Sequence, residues 1–158
     1  MTLAKITHGS FTLERVYDAP LSRVFSAYTE AEARHRWLIR SNGWTVHEYR
    51  PAEQARSGAT ESSKFSPPGA ETVLTNDTTF LDVQENDRVI IAYSMTVDGA
   101  PLSSSLLTTE FHAEGEGRTR LVLTEQGAYL DGNIEGRAEG SKWLLEQLAK
   151  ELTAAAAA

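Results

Sequence analysis

The stretch ETVLTNDTTFLDVQENDRVIIAYSMTVDGAPLSSSLLTTEFHAEGEGRTRLVLTEQ, residues 71–126, decides the fold. It alternates β-branched and aromatic runs with short turn signals. Residues 71–84 and 88–97 read as strands joined at Glu85-Asn86-Asp87. Asp98-Gly99 is a strong two-residue hairpin signal, because both positions of such a turn favour positive φ. Residues 102–112 and 118–126 read as the next pair of strands, joined around Glu114-Gly115-Glu116-Gly117. Just upstream, residues 44–50 read as a strand and 54–65 as a weaker one, ahead of the turn Pro67-Pro68-Gly69. Six consecutive strands with short connections imply an antiparallel meander.

Residues 11–17 form one further strand, with Phe11, Leu13 and Tyr17 on one face. Asp18-Ala19-Pro20 stops it and opens a helix, since proline is tolerated in a first turn. Leu21, Val24, Phe25 and Tyr28 then recur at helical spacing. Thr29 and Glu32 carry the spacing of a capping box, which predicts a second short helix over 30–38. Its basic run Arg34-His35-Arg36, with Arg40 nearby, reads as a solvated face. Beyond the meander, residues 131–136 read as a loop. A closing helix over 136–153 puts Leu144, Leu145, Leu148 and Leu152 on one face. The resulting α+β order is β-α-α-β6-α. One face of the sheet needs a cover, and the closing helix has the only long apolar stripe. The sheet is therefore expected to curve around that helix, with the short helices closing one end.

The chain has 158 residues, a share of hydrophobic residues of 41% and a formal net charge of −7. This length suits one domain of roughly 100–200 residues. We expect that domain over residues 1–153, with the Ala-rich segment 154–158 outside it. The acidic balance argues against a general nucleic-acid binder, which needs a cationic face to displace counterions. The absence of cysteine removes disulfide scaffolds, thiol catalysis and thiolate zinc sites. Residues 1–10 do not read as a signal peptide, and no stretch has the ~20 apolar residues of a membrane-spanning helix. A cytoplasmic protein is the expectation.

The segment FTLERVYDAPLSRVFSAYTE from Phe11, Trp37 at the end of the second helix, and the run Asn86–Tyr93 resemble one family. So do SLLTTEF (Ser105–Phe111) and GRTRLVLTEQGAYLDG (Gly117–Gly132). It comprises proteins related to the activator of the heat-shock protein 90 ATPase, within the START-like (SRPBCC) superfamily. The resemblance spans roughly residues 8–152. Relatives usually carry a Gly-Gly pair at the start of the third strand, where this chain has Ala55-Arg56-Ser57-Gly58-Ala59. The resemblance implies a helix-grip fold with a largely apolar cavity between sheet and closing helix. Superfamily members bind lipids, polyketides or other hydrophobic molecules, and some are cyclases or hydrolases. The name-giving activators carry an additional N-terminal domain.

Strand alternation sorts the candidate site residues. Thr119, Leu121, Leu123 and Glu125 share the core-facing row of the last strand. Val89, Ile91, Tyr93, Met95 and Val97 share one face of their strand. Ser103, Ser105, Leu107, Thr109 and Phe111 do so on the next. On the closing helix, Arg137 aligns with Ser141, Leu144, Leu148 and Leu152. Glu125 and Arg137 are therefore expected to form a polar clamp at a cavity mouth, orienting a polar head while apolar walls hold the body. Tyr93, Met95, Ser105 and Thr109 are candidate walls, and Trp37, Trp44 and Tyr129 candidate entrance residues. His47 is a candidate acid or base, and its alternation places it with Thr45 and Tyr49. No metal site is expected. His8, His35, His47 and His112 are scattered, and Asp131–Gly136 mimics a calcium loop whose twelfth position is Lys142 instead of Glu. No cofactor is expected.

Three functions compete. The first is binding of a hydrophobic or amphipathic small molecule. The second is an enzyme of cyclase or hydrolase type using Glu125 or His47. The third is a chaperone-interacting module, as the resemblance suggests. Unpaired strands at the sheet edges also offer a route to a homodimer.

Overall fold

The computed structural model describes residues 6–40 and 43–157. Met1–Lys5, which fall within the segment read for a signal peptide, lie outside the described residues. The strands are β1 (Thr7–Tyr17), β2 (Thr45–Arg50), β3 (Thr60–Ser66), β4 (Leu74–Gln84), β5 (Arg88–Val97), β6 (Ala100–Ala113) and β7 (Thr119–Tyr129). Helices α1 (Leu21–Thr29) and α2 (Ala31–Arg34) follow β1, and α2 runs into one π-helical turn, His35–Ile39. Helix α3 (Ile134–Ala157) closes the chain.

All seven strands form one antiparallel sheet in the order β1-β7-β6-β5-β4-β3-β2. It is a meander from β2 to β7, with β1 laid along the free side of β7. Asp98 and Gly99 both have positive φ, at 46° and 83°, as the hairpin signal requires. The sheet curves around α3, whose Leu145, Leu148 and Leu152 are buried with Leu121, Leu123, Phe111 and Phe80 from the strands. Helix α1 and the π-helical turn close one end through Val24, Phe25 and Tyr28 and through Trp37. The rings of Phe25 and Tyr28 meet Phe111 edge-on, at 5.2 and 5.3 Å between centroids. This is an α+β helix-grip architecture.

Several local expectations are corrected. Thr29 and Glu32 form no capping box. Thr29 is still helical, and its hydroxyl bonds back to the Phe25 carbonyl at 2.8 Å. Strand β7 runs three residues past Gln126, through Gly127 and Ala128 to Tyr129, because β1 and β6 hold it on both sides. Helix α3 begins at Ile134, where Asn133 Oδ1 accepts the Gly136 N–H at 3.0 Å. It continues through Ala157, past the expected end at 153, as suits the strongest helix former. At the Gly-Gly position Gly58, with a φ of 91°, donates to the Phe80 carbonyl while Phe80 donates to that of Ala59, so two residues face one in a bulge just before β3. Further shifts fall in β2 at His47 and in β4 at Leu81.

The basic run is a solvated face only in part, at Arg36 and Arg40. Arg34 is only 5% exposed and is paired with Glu61 of β3. His35 stacks on the Tyr49 ring with centroids 5.4 Å apart. Arg36 reaches Glu151 of α3 with bonds of 2.6 and 2.9 Å, tying the π-helical turn to the closing helix.

Candidate functional site

Glu125 is the one carboxylate in the inner row of β7, and it is completely buried. A buried carboxylate must be surrounded by donors. Tyr93 on β5 donates to Oε1, while Tyr129 and Ser105 donate to Oε2 at 2.6 and 3.1 Å. Arg137 supplies the countercharge from the first turns of α3. Its Nη1 stands 3.5 Å from Oε2 and 3.0 Å from the Tyr93 hydroxyl, and its Nη2 bonds Ser103 Oγ at 2.7 Å. The guanidinium also covers the Tyr93 and Tyr129 rings, 5.7 and 5.5 Å from their centroids.

The Tyr129 contact depends on a missing side chain. Four residues of extended strand separate Tyr129 from Glu125, roughly 13 Å. The Tyr129 ring bridges this by lying back along β7 over Gly127. A Cβ there would stand 2.9 Å from the ring and 2.8 Å from Ser105 Oγ. Burial is the main reason that both phenols resist ionisation. At Tyr93 the Arg137 charge opposes this shift, and the Glu125 carboxylate adds to it. At Tyr129 the hydrogen bond to Glu125 adds to it. Both hydroxyls are thus held in the protonated, donating form.

Above this cluster lies a cavity of about 450 Å³ between the sheet, α3 and the π-helical turn. Its walls are largely apolar, with Trp37, Trp44, Phe65, Ile91, Met95 and Leu144 prominent. Glu125 and Arg137 do come together. Glu125 is sealed, its side chain 1% exposed, whereas Arg137 keeps 16%, so Arg137 is the more accessible member of the pair. Tyr93 and Met95 lie in the wall. Trp37 lies there too, donating Nε1–H to the Ala27 carbonyl at 2.8 Å. Ser105 and Tyr129 do not line the cavity and act beneath it, through Glu125. Thr109 is buried and bonds the Tyr28 hydroxyl at 2.6 Å.

His47 is not brought to this site. It sits in the β2 bulge, is exposed, and bonds Ser66 Oγ at 2.8 Å. The extra residue of the bulge reverses the alternation, so His47 and Tyr49 part company and Tyr49 alone lines the cavity. Sequence reasoning missed Arg34, Tyr49 and Glu61, all of which face this cavity. Parity after the bulge would have signalled Tyr49. A second depression, of about 650 Å³, lies on the outer face of the sheet, among short polar side chains such as Asp77, Thr79, Ser94 and Ser104. Tyr93, Ser105 and Glu61 border it as well as the inner site.

A curved antiparallel sheet gripping a C-terminal helix over a cavity defines the START-like class of helix-grip proteins. The profile of the activator of Hsp90 ATPase homolog 1-like proteins matches residues 18–153, and the chain belongs to that family. Its fold is shared with the Mll3558 protein of Rhizobium loti at 36% identity and a TM-score of 0.83, covering 93% of this chain and 99% of that one. An uncharacterized protein of Rhizobium leguminosarum is 31% identical, with a TM-score of 0.87 and coverage of 96% and 99%. Protein CV1439 of Chromobacterium violaceum shares the fold at 22% identity and a TM-score of 0.75, covering 90% and 96%. No curated protein matches the chain.

Proposed function

We propose that this protein binds a hydrophobic or amphipathic small molecule in the cavity between the sheet and α3. The carrying observation is a mainly apolar chamber of about 450 Å³ with one preorganised polar cluster on its floor. Such chambers hold drug-sized molecules, with apolar walls for affinity and few polar groups for orientation. The ligand's polar head sits against Arg137 and the Tyr93 hydroxyl, which Glu125, Ser103, Ser105 and Tyr129 hold in place. Met95 adds an adaptable wall. Glu125 already receives three hydroxyl donors and faces a guanidinium, an arrangement suited to positioning rather than to proton transfer.

The binding is proposed to take place in the cytoplasm. Among the described residues no helix is long and apolar enough to cross a membrane. Native mass spectrometry of the purified protein should reveal a co-purified small-molecule mass, and matching ligands should raise the melting temperature. A protein that stays empty and whose melting temperature no ligand in a broad screen moves would overturn the reading.

A further inference from the structure

The charges around the cavity are matched before any ligand arrives. Its walls carry two basic side chains, Arg34 and Arg137, and three acidic ones, Glu61, Glu125 and Asp131. Arg34 is paired with Glu61, and the pair is sealed, with side chains 6% and 8% exposed. Arg137 faces Glu125 at 3.5 Å. The two Glu125 oxygens together accept three hydroxyl donors, the pattern of an ionised carboxylate. Those donors come from β5, β6 and β7, so the negative charge is fixed in place by three strands. Asp131 adds an exposed carboxylate in the loop before α3.

Recognition of a ligand carboxylate relies on a guanidinium free to pair with it. Here each arginine at the cavity has its counter-ion built in. Arg137 nevertheless keeps hydrogen-bonding capacity. A guanidinium carries five N–H groups. Nη1 donates to the Tyr93 hydroxyl and Nη2 to Ser103 Oγ, with Glu125 alongside. N–H groups remain on a side chain that lines the cavity and is 16% exposed.

We infer that Glu125 sets the charge selectivity of the cavity: by neutralising Arg137 it admits ligands with an uncharged acceptor head, such as an alcohol, ketone or amide, and turns carboxylates away. The inference rests on the cavity-binding reading and names its ligand class. Glu125 itself touches no ligand and acts through its charge. A carboxylate at Arg137 would set two negative charges against one guanidinium within largely apolar walls, whereas a neutral head needs only an N–H. Asp131 opposes an anion as well.

Matched amides and carboxylates test this at about pH 7: 4-phenylbutanamide against 4-phenylbutanoate, and decanamide against decanoate. All three tryptophans of the chain, Trp37, Trp44 and Trp143, border the cavity, so their emission reports entry of each probe. The wild-type protein should bind each amide about tenfold or more tightly than its carboxylate, since an unpaired charge is a strong device for rejecting a competitor. Glu125→Gln keeps a carbonyl acceptor but removes the charge. It should free Arg137 to pair with a ligand anion and reverse the order of each probe pair. Asp131→Asn changes an exposed side chain and should keep the amide preference, an arm that does not depend on the folding of Glu125→Gln. Carboxylates bound as tightly as amides by the wild type would overturn the inference and leave the cavity-binding reading standing. So would an amide preference unchanged in folded Glu125→Gln, or one lost in Asp131→Asn, which would place the selection at Asp131. Failure of all four probes to bind would count against both.

Discussion

At the scale of single residues, Gly127 matters more than its size suggests. Its missing Cβ is what lets Tyr129 reach back four positions along its own strand to Glu125. Gly127→Ala should drive the ring and the Ser105 hydroxyl off the carboxylate and cost about 1–3 kcal/mol by overpacking. Gly140 offers an internal control. It lies within α3, and an added Cβ would meet nothing within 4 Å. Gly140→Ala should stabilise by up to about 1 kcal/mol through helix propensity alone. Denaturation midpoints of the two variants, measured side by side, check both signs. Glu125 was visible in the sequence because a carboxylate in a strict core row is anomalous. Arg34 was not visible. It opens a run of basic residues, and its partner Glu61 lies 27 positions away.

At the scale of elements, period-two alternation made the inner faces of β5, β6 and β7 legible, and helical spacing did the same for α3. What remained hidden were the departures from period. A bulge at His47 changes parity in β2, and a π-helical turn has no signature in an apolar pattern. Strand β3 reads TESSKFS, so its buried serines are masked by polar neighbours. Helix α3 is the opposite case: its leucine stripe announces its role. Leu148 is fully buried in the grip of the sheet. Leu148→Ala should cost about 2–5 kcal/mol, the larger figures applying if the strands cannot close on the void. Urea titration of the variant measures it.

The whole molecule has a distinctive alkaline limit. Tyr17, Tyr28, Tyr93 and Tyr129 are all pushed above the ordinary tyrosine value of 10.0, in each case chiefly by burial. Their protonated forms are favoured in the folded state. Above pH 10 the unfolded chain therefore holds fewer protons than the folded one. Their contribution is complete below that value and is lost as pH rises toward the folded-state values. Thermal melts should be flat in this respect up to about pH 9 and then fall steeply, with tyrosinate absorbance appearing together with unfolding. Absorbance that rises well before unfolding would contradict the burial of these phenols.

The sheet order has a consequence in time. Strands β3 to β7 can each pair with the strand made just before, but β1 pairs only with β7, and Thr12 lies opposite Thr124 across 112 residues of chain. During synthesis β1 must wait, unpaired, until nearly the whole meander has left the ribosome. Closing so long a loop is slow, and an exposed strand is open to wrong partners while it waits. The alternation of exposed residues along β1, with Glu14 and Arg15 inside it, keeps that waiting strand soluble until β7 arrives.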